Sequence, residues 1–246
     1  MIFNDKNSFI RYIKSLDELG FGSQGITYHD FNSGKAIKVF HEFFENEEVD
    51  QYWWQVRDIL KFGDFTNETY VFPEQKIMVE GRLVGYISRF VNGKVISTID
   101  PLKVNLDKLI KASAYAIKDI RIISQKKILT YDVMYNIMYG MGKFHVIDTD
   151  EYCYSDKDYK LILHENNVNF NMGIMYFLVD NLFNEFVEKS KILSEMYDTR
   201  DCDILEFLME LKKQLSEYVG CDIKTLSQAK SCLNKLKRKS EFIRGC

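Results

Sequence analysis

The sequence predicts an α+β protein in two parts, residues 1–91 rich in strands and residues 92–246 mostly helical. Three observations lead there. Short apolar runs separated by turn residues fill the first part, apolar residues at helical spacing fill the second, and Asn92-Gly93 interrupts the chain between them. Strands first and helices afterwards point to segregated layers rather than to an alternating parallel sheet.

Within the first part, residues 8–31 read as a short strand, a glycine-rich turn and a second strand. Asn32-Ser33-Gly34 is a turn signal, and Lys-Ala-Ile-Lys-Val-Phe at 35–40 reads as the next strand. Residues 43–62 place Val49, Tyr52, Trp53, Val56, Ile59 and Leu60 at helical spacing. Residues 71–72, 76–79 and 83–90 read as further strands, with turns at Pro73-Glu74 and Glu80-Gly81, so this part is expected to be an antiparallel sheet with one helix.

In the second part, Leu106, Leu109, Ile110, Ser113, Ala116, Ile117, Ile120 and Ile123 share one face of a helix over 106–124. Short strand-like pieces follow at 128–130, 137–138 and 144–147. From about 168 to 243 the pattern is helical again, with Ile204, Leu205, Leu208, Leu211 and Leu215 forming one stripe. The basic stretch 230–244 reads as a solvated helix face.

Composition narrows the function classes. Of 246 residues, 46% are hydrophobic and 28% charged, enough to bury a core, and the net charge of -3 gives no general attraction to nucleic acid or to a membrane surface. The longest apolar run, 174–179, is too short to span a bilayer, and the opening residues lack a signal-peptide pattern. The five cysteines are scattered without a CxxC pair, so their spacing suggests neither a zinc site nor a disulfide framework. A reduced, cytoplasmic protein is expected.

Three motifs carry chemistry. Gly20-Phe21-Gly22-Ser23-Gln24-Gly25 is a GxGxxG sequence, a weak signal alone. A dinucleotide-binding turn would lead into a helix. Here Ile26-Thr27-Tyr28-His29-Asp30-Phe31 follows, with strand-like composition, so a glycine hairpin is the better reading. Such a hairpin lets backbone N–H groups approach phosphate oxygens, although a plain flexible hairpin is the competing explanation.

Lys38 stands on an otherwise apolar strand, facing away from Ile37 and Val39. A buried lysine needs an anionic partner. Phosphate oxygens and a carboxylate from the following helix would supply one, with Glu48 the first candidate and Glu45 and Glu47 close behind. A solvent-facing lysine on an edge strand is the alternative. Downstream, Asp132, Asn136 and Asp148 fall at the ends of adjacent short strands. They offer hard oxygen ligands for Mg²⁺ and one carboxylate to accept a hydroxyl proton. Ordinary turn chemistry also favours Asp and Asn at such places.

Taken in order, these features resemble the protein kinase-like superfamily over about residues 15–155. Leu-Gly-Phe-Gly-Ser-Gln-Gly-Ile-Thr-Tyr at 19–28 and Ala36-Ile37-Lys38 look like the protein-kinase forms of their motifs. The resemblance implies a two-lobed fold, an N-terminal nucleotide-binding lobe over 1–91 and a C-terminal catalytic lobe over 92–246. By position it implies that Gly20, Gly22 and Gly25 cover ATP, that Lys38 binds its α and β phosphates and that Ser88 to Phe90 meet adenine. Asp132 would be the catalytic base, and Asn136 and Asp148 would hold Mg²⁺, with Asp150 a further ligand. The expected reaction moves the γ-phosphoryl group to a hydroxyl on a protein Ser/Thr or a small molecule, and the alternative is a pseudokinase or nucleotide-binding regulatory module. Four departures are visible, one being that no Ala-Pro-Glu motif follows Asp148. Thr130-Tyr131 replaces the usual His-Arg, three residues rather than four separate Asp132 from Asn136, and Asp148-Thr149-Asp150 lacks the usual glycine.

Overall fold

The computed structural model describes residues 1–45, 58–62, 65 and 67–244. The chain divides into two compact units. One comprises Met1–Asn92 with Ile147–Glu151, and the other comprises Gly93–Val146 with Tyr152–Cys246. The break falls at Asn92-Gly93, but the short segment Ile147–Glu151, expected in the C-terminal part, packs with the first unit.

The first unit is a six-stranded sheet. Its strands are β1 (Ile2–Phe3), β2 (Asp17–Phe21), β3 (Gly25–Asp30), β4 (Lys35–Phe40), β5 (Pro73–Val79) and β6 (Arg82–Arg89), in the spatial order β1-β5-β6-β4-β3-β2. All neighbours run antiparallel except β1 and β5, which are parallel, so the sheet is mixed rather than purely antiparallel. A two-residue strand leaves no periodic signal, which is why the sequence did not announce β1.

Residues 6–13 correct a second expectation. They form helix α1 (Lys6–Ile13), not a strand, with the Asp5 side chain capping its first turn by accepting from the Ser8 N–H at 2.8 Å. Phe9 and Ile13, one turn apart, enter the core with Ile37, Val39, Ile77, Val79 and Ile87 on one face of the sheet. On the other face Phe40 packs with Ile59 and Tyr86. The alternation along β4 therefore sends Ile37 and Val39 one way and Lys38 the other, as the period of two requires.

Pro73-Glu74 opens β5 rather than making a turn, a place where a missing N–H is tolerated. Glu80 and Gly81 do make the β5–β6 turn, both with positive φ (51° and 79°), the geometry that suits a two-residue hairpin loop. Among the described residues of the helix expected over 43–62, Glu42–Glu45 form α2, and Ile59 and Leu60 lie in a turn. Val49, Tyr52, Trp53 and Val56 fall outside the described residues.

The second unit is led by α3 (Leu106–Gln125), capped by Asn105, whose predicted stripe is buried from Leu106 to Ile123 apart from Ile110, which is only partly covered. Then come β8 (Ile128–Leu129), following the short β7 (Lys94–Val95), and the one-turn helix α4 (Val133–Asn136). The hairpin of β9 (Ile137–Gly140) and β10 (Lys143–Val146) pairs Ile137 with Val146, and β11 (Cys153–Tyr154) pairs with β8. Helix α5 (Tyr159–Leu178) begins nine residues before the helical pattern became legible, because the Asp158 side chain caps it by accepting from Lys160 and Leu161. It passes into a π-helical turn at Val179–Phe183 and then α6 (Asn184–Glu188), α7 (Lys191–Thr199), α8 (Ile204–Val219) and α9 (Leu226–Arg244). On α8, Ile204, Leu208, Leu211 and Leu215 are fully buried and Phe207 joins them. Among the described residues no helix is long and apolar enough to cross a membrane.

Candidate functional site

The glycine sequence forms a hairpin between β2 and β3, and it leads into a strand, not a helix. The Gly22 N–H donates to the Gly25 carbonyl at 2.9 Å and closes the turn. His41, just past β4, holds the loop from behind. Its N–H donates to the Gln24 carbonyl at 3.1 Å, and its Nε2 lies 2.8 Å from the Gly22 carbonyl oxygen. The three glycines are not equivalent. A Cβ at Gly25 would overlap the Val39 carbonyl, so that glycine is demanded by strand packing, whereas a Cβ at Gly20 would meet open space. Only Gly20 and Gly22 remain without a purely structural reason.

Lys38 is not on an edge strand. β4 lies between β3 and β6, where Lys38 is registered against Thr27 and Tyr86. Its side chain is 9% exposed and its ammonium pairs with Asp148 and, at 3.5 Å, with Asp150. The lysine therefore finds its carboxylates in Ile147–Glu151. Glu47 and Glu48 lie outside the described residues, and Glu45 ends α2.

Around this ion cluster the polar partners are specific. The Tyr86 hydroxyl donates to Asp150 at 3.0 Å and reaches Asp148 at 3.4 Å. The Lys38 ammonium also lies 5.5 Å from the Tyr86 ring centroid. Gln24, from the glycine hairpin, accepts from the Lys38 ammonium at 2.7 Å through its amide oxygen, and its amide nitrogen donates to Glu151 at 2.5 Å. The segment is anchored by Thr149, fully buried, whose hydroxyl donates to the Val71 carbonyl at 2.7 Å.

The two aspartates differ. Asp150 has a side chain 2% exposed, and burial, opposed by Lys38 and reinforced by the charge of Asp148, holds its carboxyl above the usual range. Burial first, then Asp150 and Asp148, pushes the Tyr86 phenol far up, so it remains an O–H donor. Asp148 is 33% exposed and adopts a left-handed backbone, φ 60°. A carboxylate held in a sparsely populated conformation, half covered and next to a buried cation, is the kind of strain that gathers at functional sites. Among the described residues no group of three or more His, Cys, Asp or Glu side chains could hold a metal unaided. Two aspartates do fit the way Mg²⁺ is bound together with phosphate oxygens and water, rather than in an all-protein cage.

In the second unit, Asp132 also has a left-handed backbone (φ 48°, ψ 28°), and its carboxylate does not cap α4 behind it. Asn136 donates from its side-chain amide to the Asp132 carbonyl at 3.0 Å. The approach to Asp132 is fixed by Asn166 of α5, which is fully buried. Its amide oxygen accepts from both the N–H and the hydroxyl of Thr130, and its NH₂ donates to Ser124 and to the Ile128 carbonyl, all at 2.9 Å. Every hydrogen-bonding capacity of that amide is used. Replacing Asn166 by leucine is expected to cost about 3 kcal/mol or more, since several buried groups lose partners at about 1–3 kcal/mol each. An unchanged urea midpoint for Asn166→Leu would show that the network contributes little.

Ser88 and Phe90, expected to meet adenine, lie at the end of β6 and just beyond it. Ser88 lies inside β6 with Ala36 and Pro73 as its register partners, and the Phe90 ring stacks on His29 with centroids 3.8 Å apart. Gln24, Tyr86, Glu151, His41 and Asn166 were not singled out by the sequence reading. Tyr86 could have been found only by knowing its register against Lys38.

In comparisons with known proteins, no protein-family model matches the chain and no curated protein matches its sequence.

Proposed function

We propose that the chain is an ATP-dependent phosphotransferase of the protein kinase-like, two-lobed type. The observation that carries this reading is the ion cluster of the first unit, where Lys38, Asp148 and Asp150 meet beside a glycine hairpin. A buried cation beside one buried and one partly exposed carboxylate is the chemistry a metal-bound triphosphate needs, and phosphoryl transfer depends mainly on positioning and charge neutralisation. Lys38 would hold the α and β phosphates while Gly20 and Gly22 let the hairpin backbone come close. Mg²⁺, held by these carboxylates, would supply positive charge to offset that of the phosphates. Asp148 and Asp150 would be its protein ligands, with Asn136 the further one that the family pattern implies. The acceptor hydroxyl attacks the γ-phosphorus, the bond to the β–γ bridging oxygen breaks, ADP leaves, and Asp132 takes the hydroxyl proton. A protein Ser/Thr is the proposed acceptor, with a small-molecule hydroxyl the alternative.

Incubating the purified chain with labelled ATP, with magnesium and with a chelator, tests this directly. Magnesium-dependent labelling of the chain or of a protein acceptor is expected. One observation favours a second reading, a nucleotide-binding module without transfer: Asn136 is committed to the Asp132 carbonyl across a shortened loop. Melting-temperature gains with MgATP but no transfer to any acceptor would support that reading instead. No gain with any nucleotide would sink both.

A further inference from the structure

We propose that Gln24 is a positioning residue that holds the place of a ligand phosphate on Lys38 and must swing away when a phosphate-bearing ligand enters, an inference that rests on the nucleotide reading above. Its carboxamide is engaged at both ends. The oxygen accepts from the Lys38 ammonium at 2.7 Å and the nitrogen donates to Glu151 at 2.5 Å. An amide oxygen accepts a hydrogen bond as a phosphate oxygen does but carries no charge, so it completes the hydrogen bonding of a buried ammonium without adding charge. Lys38 has three donors, and among the described residues Asp148, Asp150 and Gln24 are its three hydrogen-bond partners. A phosphate oxygen that binds Lys38 must therefore displace one of them. The aspartates are charged and lie on a segment anchored through Thr149, whereas Gln24 is neutral and stands on a loop. Gln24 is the partner that exchanges most cheaply.

The loop need not move with it. The Gln24 carbonyl accepts from His41 and the Gly22 carbonyl lies against the His41 ring, so the backbone is held while the side chain alone turns. Glu151 has the complementary part. It draws the Gln24 nitrogen, which aims the oxygen at Lys38, and so favours the closed arrangement. When the closed arrangement predominates, apparent affinity for the ligand falls by the fraction of protein that is open.

The test compares the wild-type chain with Gln24→Ala, a change that leaves net charge untouched, by calorimetric titration with MgATP and with adenosine. Gln24→Ala is expected to bind MgATP several-fold to about tenfold more tightly and adenosine no differently, because only the phosphates compete for Lys38. Gln24→Asn, too short to span Lys38 and Glu151 together, is expected to follow Gln24→Ala. Equal MgATP affinity in wild type and Gln24→Ala, weaker binding by the variant, or equal tightening toward adenosine would overturn the role of Gln24 while leaving the nucleotide reading in place. Failure of every folded variant and of the wild type to bind MgATP would overturn both.

Discussion

On the phosphotransferase proposal, Asp148→Asn is expected to lower magnesium-dependent phosphoryl transfer by roughly 10²- to 10³-fold, the usual cost of removing one preorganised electrostatic group from a charged transition state, while leaving the fold in place. Asp148 is the carboxylate of the cluster that reaches solvent, with its side chain 33% exposed against 2% for Asp150. Under the proposed function it is therefore the one to meet a metal-bound phosphate. Its loss does not strand Lys38, which keeps Asp150 at 3.5 Å and the Gln24 oxygen at 2.7 Å. Stability should hold for that reason, and the unfolding midpoint is the control. Turnover at the wild-type rate with magnesium present would remove Asp148 from the mechanism. A collapsed midpoint would show that it acts as a structural counter-ion.

The cluster was partly legible in the sequence, and the reasons differ residue by residue. Lys38 could be read because alternation along a strand is a local property: Ile37 and Val39 announce the core face, and Lys38 must then point the other way. Asp148 and Asp150 could be noted as carboxylates after a short strand. Their partner could not be named, because pairing over 110 residues depends on how segments pack, and the helix after β4 seemed the nearer source of a carboxylate. Tyr86 illustrates the same limit. It faces Lys38 through the register of β4 against β6, and register has no local signature when both strands bury residues on each face. Helix α1 was missed for another reason: eight residues carry barely two turns, and an apolar pattern that short fits a strand equally well until the Asp5 cap is seen. Gly25 shows how a motif overstates itself, since one of its three glycines is explained by the β3–β4 approach alone.

Lys38→Met is expected to destabilise the chain by about 3–5 kcal/mol at neutral pH, the range observed when one partner of a buried ion pair is removed. That is a large part of the roughly 5–15 kcal/mol that holds an ordinary domain together. Methionine fills similar volume, so the loss is electrostatic rather than a cavity. The variant leaves Asp150 buried beside the like-charged Asp148 with the Tyr86 hydroxyl at 3.0 Å as a neutral donor. The sign of the pH dependence follows from Asp150. Its folded carboxyl titrates above the unfolded value of 3.8, through burial above all. A raised acid favours the fold below its unfolded value and gives up that contribution as pH rises through the folded one. Lys38 works against the rise, so its removal carries the folded value higher and extends the window toward neutrality. Denaturation of wild type and variant should therefore differ least in mild acid and most near neutral and mildly alkaline pH. Adding Asp150→Asn to Lys38→Met should recover most of the loss, since an amide there is neutral at every pH and still accepts from Tyr86. A penalty that is the same in acid as at neutral pH, or one that Asp150→Asn does not relieve, would mean that Lys38 stabilises the unit by packing its aliphatic chain rather than by holding two carboxylates in the interior.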